Sequence, residues 1–143
     1  MDHLAEDIPQ RLLDAGLINE VARVKALQQQ KNLGGTVTAS LLKIGAISEE
    51  ALLEFLARLY GTPGVDLKSY EPDPTLTKLI PGDVATKFLA LPIARAGRRL
   101  TVAMVNPTNL FAIDDIKFIT GFEVEPRVAT ETQLKRALDR AYD

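Results

Sequence analysis

Four arginines, Arg95, Arg98, Arg99 and Arg127, are the side chains of this sequence best suited to holding an anion. A guanidinium presents a planar fork of donors that matches a phosphate or carboxylate with two parallel bonds. Three of the four fall within five consecutive residues, 95–99, around Gly97, so a turn there gathers them. Charges at a strand edge also block edge-to-edge association, and this plainer reading carries more weight. As a binding patch, the group suits an acidic protein surface better than a metabolite. No catalytic or metal-binding residues are assigned. The single histidine, His3, lies near the terminus and can build neither a triad nor a multi-histidine metal site. The adjacent carboxylates Asp114-Asp115 and Glu49-Glu50 point to different sides of their helices and read as solvated charges rather than a shared acid/base pair. No G-x-x-x-x-G-K-[ST] phosphate loop occurs, which sets aside an ordinary P-loop nucleotide hydrolase and leaves a non-enzymatic reading.

The elements that position these residues belong to a chain of 143 residues with a 46% hydrophobic share and a 25% charged share, values typical of a folded domain. There is no cysteine, so disulfides and thiolate metal sites are out of reach. A formal net charge of −2 gives no general attraction to nucleic acid or anionic lipid. The start, Met1-Asp2-His3-Leu4-Ala5-Glu6-Asp7, is acidic and lacks the pattern of a secretory signal. Apolar runs such as 100–105 are too short to span a bilayer. Any membrane association is therefore expected through partners.

The first half repeats itself. Leu12-Leu13-Asp14-Ala15-Gly16-Leu17-Ile18-Asn19-Glu20 returns, 29 residues on (45 − 16), as Leu41-Leu42-Lys43-Ile44-Gly45-Ala46-Ile47-Ser48-Glu49. Each copy reads as a helix ended by a left-handed glycine, an apolar anchor (Ile18, Ile47) and a new N-cap (Asn19, Ser48). Glu20, Glu49 and Glu50 suit the positive ends of the new helices. Ala22, Val24 and Leu27 align with Ala51, Leu53 and Leu56, which predicts the same core-facing spacing in both copies. Helices are expected near 4–15, 20–31, 37–44 and 49–60, with Gly34-Gly35 and Gly61-Thr62-Pro63-Gly64 as breaks.

Pro63, Pro72, Pro74 and Pro81 mark a connector that holds a short turn at 76–80, and Pro81-Gly82-Asp83 opens a short helix bearing Val84, Ala85 and Phe88. Residues 89–94 and 100–105 then read as an antiparallel hairpin about Gly97. Leu110, Ile113, Ile116 and Ile119 recur at helical spacing up to Gly121, and 122–129 reads as a third strand. Thr130-Glu131-Thr132-Gln133 fits a capping box ahead of a last helix with Leu134, Ala137, Leu138 and Ala141 on one side. The fold class is α+β. A four-helix subdomain (1–61) built from a duplicated helix-turn-helix is followed by a connector (62–82) and a small three-stranded α/β subdomain (83–143).

Several stretches together resemble the N-terminal domain of the type II secretion and type IV pilus assembly ATPases. They are 91–93, Leu100-Thr101-Val102-Ala103-Met104-Val105-Asn106-Pro107-Thr108, Ile113-Asp114-Asp115-Ile116, the ending Arg140-Ala141-Tyr142, the two G-x-I-[SN] turns, and Gly61-Thr62-Pro63 with Val65-Asp66-Leu67. The resemblance implies a cytoplasmic adaptor that docks the motor to an inner-membrane platform protein, working without a cofactor, nucleic acid or direct membrane insertion. Some members bind cyclic di-GMP through two R-L-G…G-x-I…Q motifs, which implies a sensor as the alternative. Here Asp7-Ile8-Pro9 and Thr36-Val37-Thr38 occupy the two R-L-G positions. Gln30 keeps the motif glutamine and Leu59 replaces the second. With both arginines missing, cyclic di-GMP is not the expected ligand.

Overall fold

The computed structural model describes residues 8–142. His3 and the expected helical residues 4–7 lie outside them. Two compact units, 1–55 and 56–143, divide the chain. The first holds α1 (Ile8–Asp14), α2 (Glu20–Leu33), α3 (Val37–Lys43) and the first part of α4 (Glu49–Tyr60).

Helix ends recur with one hydrogen-bond pattern. After α1, Gly16 takes φ 74°, its N–H donates to the Leu13 carbonyl (3.0 Å), and the Leu17 N–H donates to Leu12 (3.0 Å). This paired closure satisfies two orphaned carbonyls, and only glycine adopts the required φ without strain. After α3, Gly45 repeats it at φ 75°, with bonds from Gly45 to Leu42 (3.1 Å) and Ala46 to Leu41 (2.9 Å). Gly61 closes α4 in the same way (φ 61°, 3.3 and 3.1 Å). The next helices start on side-chain caps: Asn19 Oδ1 accepts from the Ala22 N–H (2.8 Å), and Ser48 Oγ from the Ala51 N–H (3.1 Å). Ile18 and Ile47 are buried beside these turns.

The repeat preserves spacing in α2 but not burial. Ala26 is its buried residue, while Val24 and Leu27 are 50% and 37% exposed, unlike their half-buried and buried counterparts Leu53 and Leu56.

In the second unit, α5 (Pro74–Thr77) and α6 (Gly82–Phe88) precede β1 (Ala90–Ala96), β2 (Arg99–Met104), α7 (Leu110–Thr120), β3 (Glu123–Val128) and α8 (Glu131–Ala141). The sheet order is β1-β2-β3, with β1 antiparallel to β2 and β2 parallel to β3 through the α7 crossover. Gly97 and Arg98 form a two-residue hairpin loop in which only Gly97 has positive φ (60°), the pattern of a type II′ turn. Leu91, Leu100, Val102, Met104, Ile116 and Leu134 fill the core.

Two local expectations change. Leu89 is not the first strand residue; it ends α6 in the left-handed region (φ 49°), a conformation a leucine holds only under tertiary constraint. Leu110 and Ile119 share the apparent periodicity of α7 yet point outward, because the stripe facing the core is Ala112, Ile113 and Ile116. At the last helix, Thr130 Oγ1 accepts from the Gln133 N–H (3.4 Å), and the Gln133 side chain also reaches beyond the cap, accepting from the Leu67 N–H (2.9 Å). Residues 63–71 bond to this unit at further points. Val65 N–H donates to Val128 and Val128 N–H to Pro63 (2.9 and 3.0 Å), which makes Gly64 and Val128 a parallel bridge on the outer side of β3.

Candidate functional site

The β2-β3 register sets the arginine group. Arg99 lies opposite Glu123, Thr101 opposite Glu125, and Ala103 opposite Arg127, so alternate residues of the two parallel strands share one face. Glu125 sits between two of the arginines: its carboxylate is 3.1 Å from Arg127 and 3.9 Å from Arg99. Arg127 also donates to the Pro126 carbonyl (3.1 Å). At the hairpin, Arg95 donates to the Gly97 carbonyl (3.2 Å) and lays its guanidinium 4.6 Å over the Phe122 ring. Arg98 is exposed at the tip. Arg99 and Arg127 are therefore brought together around a carboxylate, while Arg95 is held on an aromatic face. The group forms a mixed-charge edge rather than a closed anion cradle.

In the helical unit, the positions aligned with the nucleotide motif begin helices. Ile8 and Pro9 stand in the first turn of α1, with Ile8 buried. Thr36 is the N-cap of α3, its Oγ1 accepting from the Ala39 N–H (3.2 Å), and Val37 and Thr38 follow in the first turn. Gln30 donates its amide to the Gly35 carbonyl (3.0 Å), which ties the glycine break to α2. Leu59 lies on α4.

Several residues that carry the family resemblance do structural work. Asn106 Oδ1 accepts from both the N–H and the hydroxyl of Thr108 (3.0 and 2.6 Å), turning the chain after β2 around a buried Pro107. Arg140 donates to the Tyr70 carbonyl (2.6 Å) and to Glu71 (3.2 Å). Tyr142 covers Gly82 so closely that a Cβ there would stand 3.3 Å from its ring. The buried hydroxyls of Tyr70 and Tyr142 have no hydrogen-bond partner among the described residues. Burial, with Tyr70 nearby, pushes the Tyr142 phenol up to about 12, and burial with the Asp73 charge raises Tyr70. Sequence reasoning missed the outer face of α7, where Leu110, Phe111 and Phe118 stand exposed. Its signal was available: Phe111 and Phe118 are seven residues apart and fall on the side opposite Ile113 and Ile116.

Among the described residues, no cluster of three or more histidine, cysteine or acidic side chains could hold a metal ion, and no helix is long and apolar enough to cross a membrane.

Comparison with known proteins is consistent with the resemblance. The MshEN domain family matches residues 47–143. The type IV pilus assembly ATPase PilB of Myxococcus xanthus is 41% identical over 131 residues, covering 92% of this chain and 23% of that protein. This chain thus spans less than a quarter of that relative. The solved structure of MshE with cdg is 32% identical, covers 99% of this chain and 100% of its own, and has a TM-score of 0.65. The N-terminal domain of XpsE shares the fold, at 20% identity and a TM-score of 0.66 over 100% of this chain and 99% of its own.

Proposed function

The chain belongs to the MshEN domain family, and from that premise we propose that it is a non-catalytic protein–protein adaptor of a type IV pilus assembly ATPase, docking the motor to an inner-membrane platform protein. In this reading it works in the cytoplasm, reaches the membrane through its partner, and needs neither a cofactor nor nucleic acid. The observation that carries the reading is the outer face of α7, where Leu110, Phe111 and Phe118 stay largely exposed, Phe111 with its ring edge-on to Phe88 at 6.2 Å between centroids. Folded monomers seldom leave such side chains grouped unless a partner covers them. The mixed-charge edge of Arg95, Arg98, Arg99 and Arg127 is proposed as a second contact, steering an acidic partner surface during association.

The structural likeness to MshE with cdg favours one alternative, a cyclic di-GMP sensor. Against it stand the residues at the ligand positions. Thr36 spends its hydroxyl on a helix cap, Gln30 spends its amide on Gly35, and neither Thr36-Val37-Thr38 nor Ile8-Pro9 offers a cation. Losing two charge-assisted contacts of roughly 1.5–3 kcal/mol each lowers affinity by at least about a hundredfold.

Two measurements decide between the readings. Calorimetry with cyclic di-GMP at ~100 μM is expected to give no saturable heat, and a Kd below ~10 μM establishes the sensor instead. Capture of the cytoplasmic domain of the neighbouring platform protein is expected at low salt. Changing Arg98 and Arg99 together to Glu slows that association in a salt-dependent way. No capture at any salt refutes the adaptor reading, and capture unaffected by the double change removes the arginine edge.

A further inference from the structure

The exposed face of α7 has an internal charge order. Phe111 and Phe118 are separated by seven residues, two helical turns or about 10.5 Å along the axis, and are 68% and 90% exposed. Asp114 and Asp115 lie three and four residues from each of them, so the two carboxylates flank the midpoint between the rings. Neither aspartate has an ion pair or hydrogen bond among the described residues. Leu110, 70% exposed, widens the apolar surface at the N-terminal end, and the exposed Lys117 lies beside the second ring in the last turn of the helix. The order along the face is apolar, acidic, apolar.

We propose that this face docks a basic amphipathic helix of a partner protein, one with two apolar side chains about two turns apart and Lys or Arg between them. The proposal rests on the adaptor reading and names the partner's chemistry. Its complement follows from the geometry. Apolar residues of the partner cover Phe111 and Phe118, and its cations meet Asp114 and Asp115 as the surface between the rings loses water. An uncharged apolar helix would bury both carboxylates without compensation, at a prohibitive cost. A second copy of this chain fits badly. In antiparallel two-fold packing about the middle of α7, Phe111 meets the other Phe118, but Asp114 meets the other Asp115, and parallel packing again sets acid on acid. An anionic lipid surface meets the same repulsion.

The test uses the full chain and a synthetic helical peptide with two leucines seven positions apart and two arginines midway between them, read by fluorescence anisotropy. A second peptide carries glutamates in place of the arginines. Saturable binding of the arginine peptide is expected. Phe118→Ser should weaken it on the order of tenfold, and Asp114→Lys with Asp115→Lys should abolish it while creating affinity for the glutamate peptide. Phe118 and Asp114 are exposed and Asp115 is half-buried, so thermal melting of all variants guards against misfolding. Equal binding of both peptides, or binding unchanged in either variant, overturns the proposal. So does a concentration-dependent dimer in sedimentation, or attachment to vesicles of phosphatidylglycerol and phosphatidylethanolamine, if Phe118→Ser removes it. The same variants assayed against the platform protein separate the two readings. Capture that ignores them sinks the α7 face and leaves the adaptor standing, whereas absence of capture by the unmodified chain sinks the adaptor itself.

Discussion

Changing Gln133 to Met removes one hydrogen bond and little else. The side chain is 8% exposed, and its Oε1 accepts from the buried Leu67 N–H at 2.9 Å across 66 residues of sequence. Methionine keeps the length and most of the volume but offers only a weak thioether acceptor. The Leu67 N–H then stays dehydrated without a partner, at a cost of roughly 1–3 kcal/mol. Leu67 is itself a core residue, so water cannot simply take the vacated place. If the loss is felt as local opening of residues 63–71, the Leu67 amide exchanges roughly 5- to 150-fold faster, the same free energy expressed as a population. Urea unfolding gives the total loss and hydrogen exchange by NMR gives its location. Gln133→Ala should cost more, by about 0.8 kcal/mol for each buried methylene lost. A Leu67 amide as protected in Gln133→Met as in the unmodified chain would show that backbone bonds such as Val65 to Val128 hold the segment without the side chain.

Two further outcomes follow from backbone geometry and burial. Gly45→Val meets open space, with nothing within 4 Å of the new Cβ, so its whole effect is the strain of a β-branched residue at φ 75°. A loss of roughly 1–3 kcal/mol is expected, offset by about 0.4–1 kcal/mol from a stiffer unfolded chain. Gly45→Asn should recover most of the stability, and a valine variant that melts with the unmodified protein refutes the strain argument. For Tyr142, raised to about 12, the folded state holds its proton more tightly than the unfolded chain, whose phenol titrates near 10. That contribution is complete below pH ~10 and is lost as pH climbs toward ~12, with Tyr70 acting in the same direction. Tyrosinate absorbance should show a late-ionising group that Tyr142→Phe removes; an unaltered titration curve excludes this assignment.

What could be read from the residues depended on range. The closures after α1 and α3 are local: a glycine, an apolar anchor and a capping Asn or Ser within four residues leave the backbone few alternatives, and the duplication states the rule twice. Strands β1 and β2 were visible because their apolar runs end at Gly97 and Asn106, and β3 because it lies between the Gly121 that ends α7 and the cap at Thr130. Leu89 was misread because nothing local announces a left-handed leucine; the surrounding packing imposes it. Gln133 fits a capping-box pattern that is local, whereas the bond from the Leu67 N–H to its side chain spans 66 residues and leaves no local sign. Among the arginines, the cluster at the hairpin was plain in the sequence. The position of Glu125 between Arg99 and Arg127 was not, since it depends on the register of two strands separated by a whole helix. In α7, apolar spacing alone assigned Leu110 and Ile119 to the core, when the helix uses Ala112, Ile113 and Ile116 there.

The pairing beside β3 limits how this molecule can grow. One side of β3 is taken by β2; on the other, Pro63 and Val65 bond Val128 at the strand's end, and Pro126 within it has no N–H to give. At the far side of the sheet, β1 contains Pro92, which has no N–H to give, and an irregularity between Pro92 and Ala94 that breaks the regular spacing of bonding groups. Neither border offers a long flat template, so crowded copies of this chain have no ready route to cross-strand polymerisation.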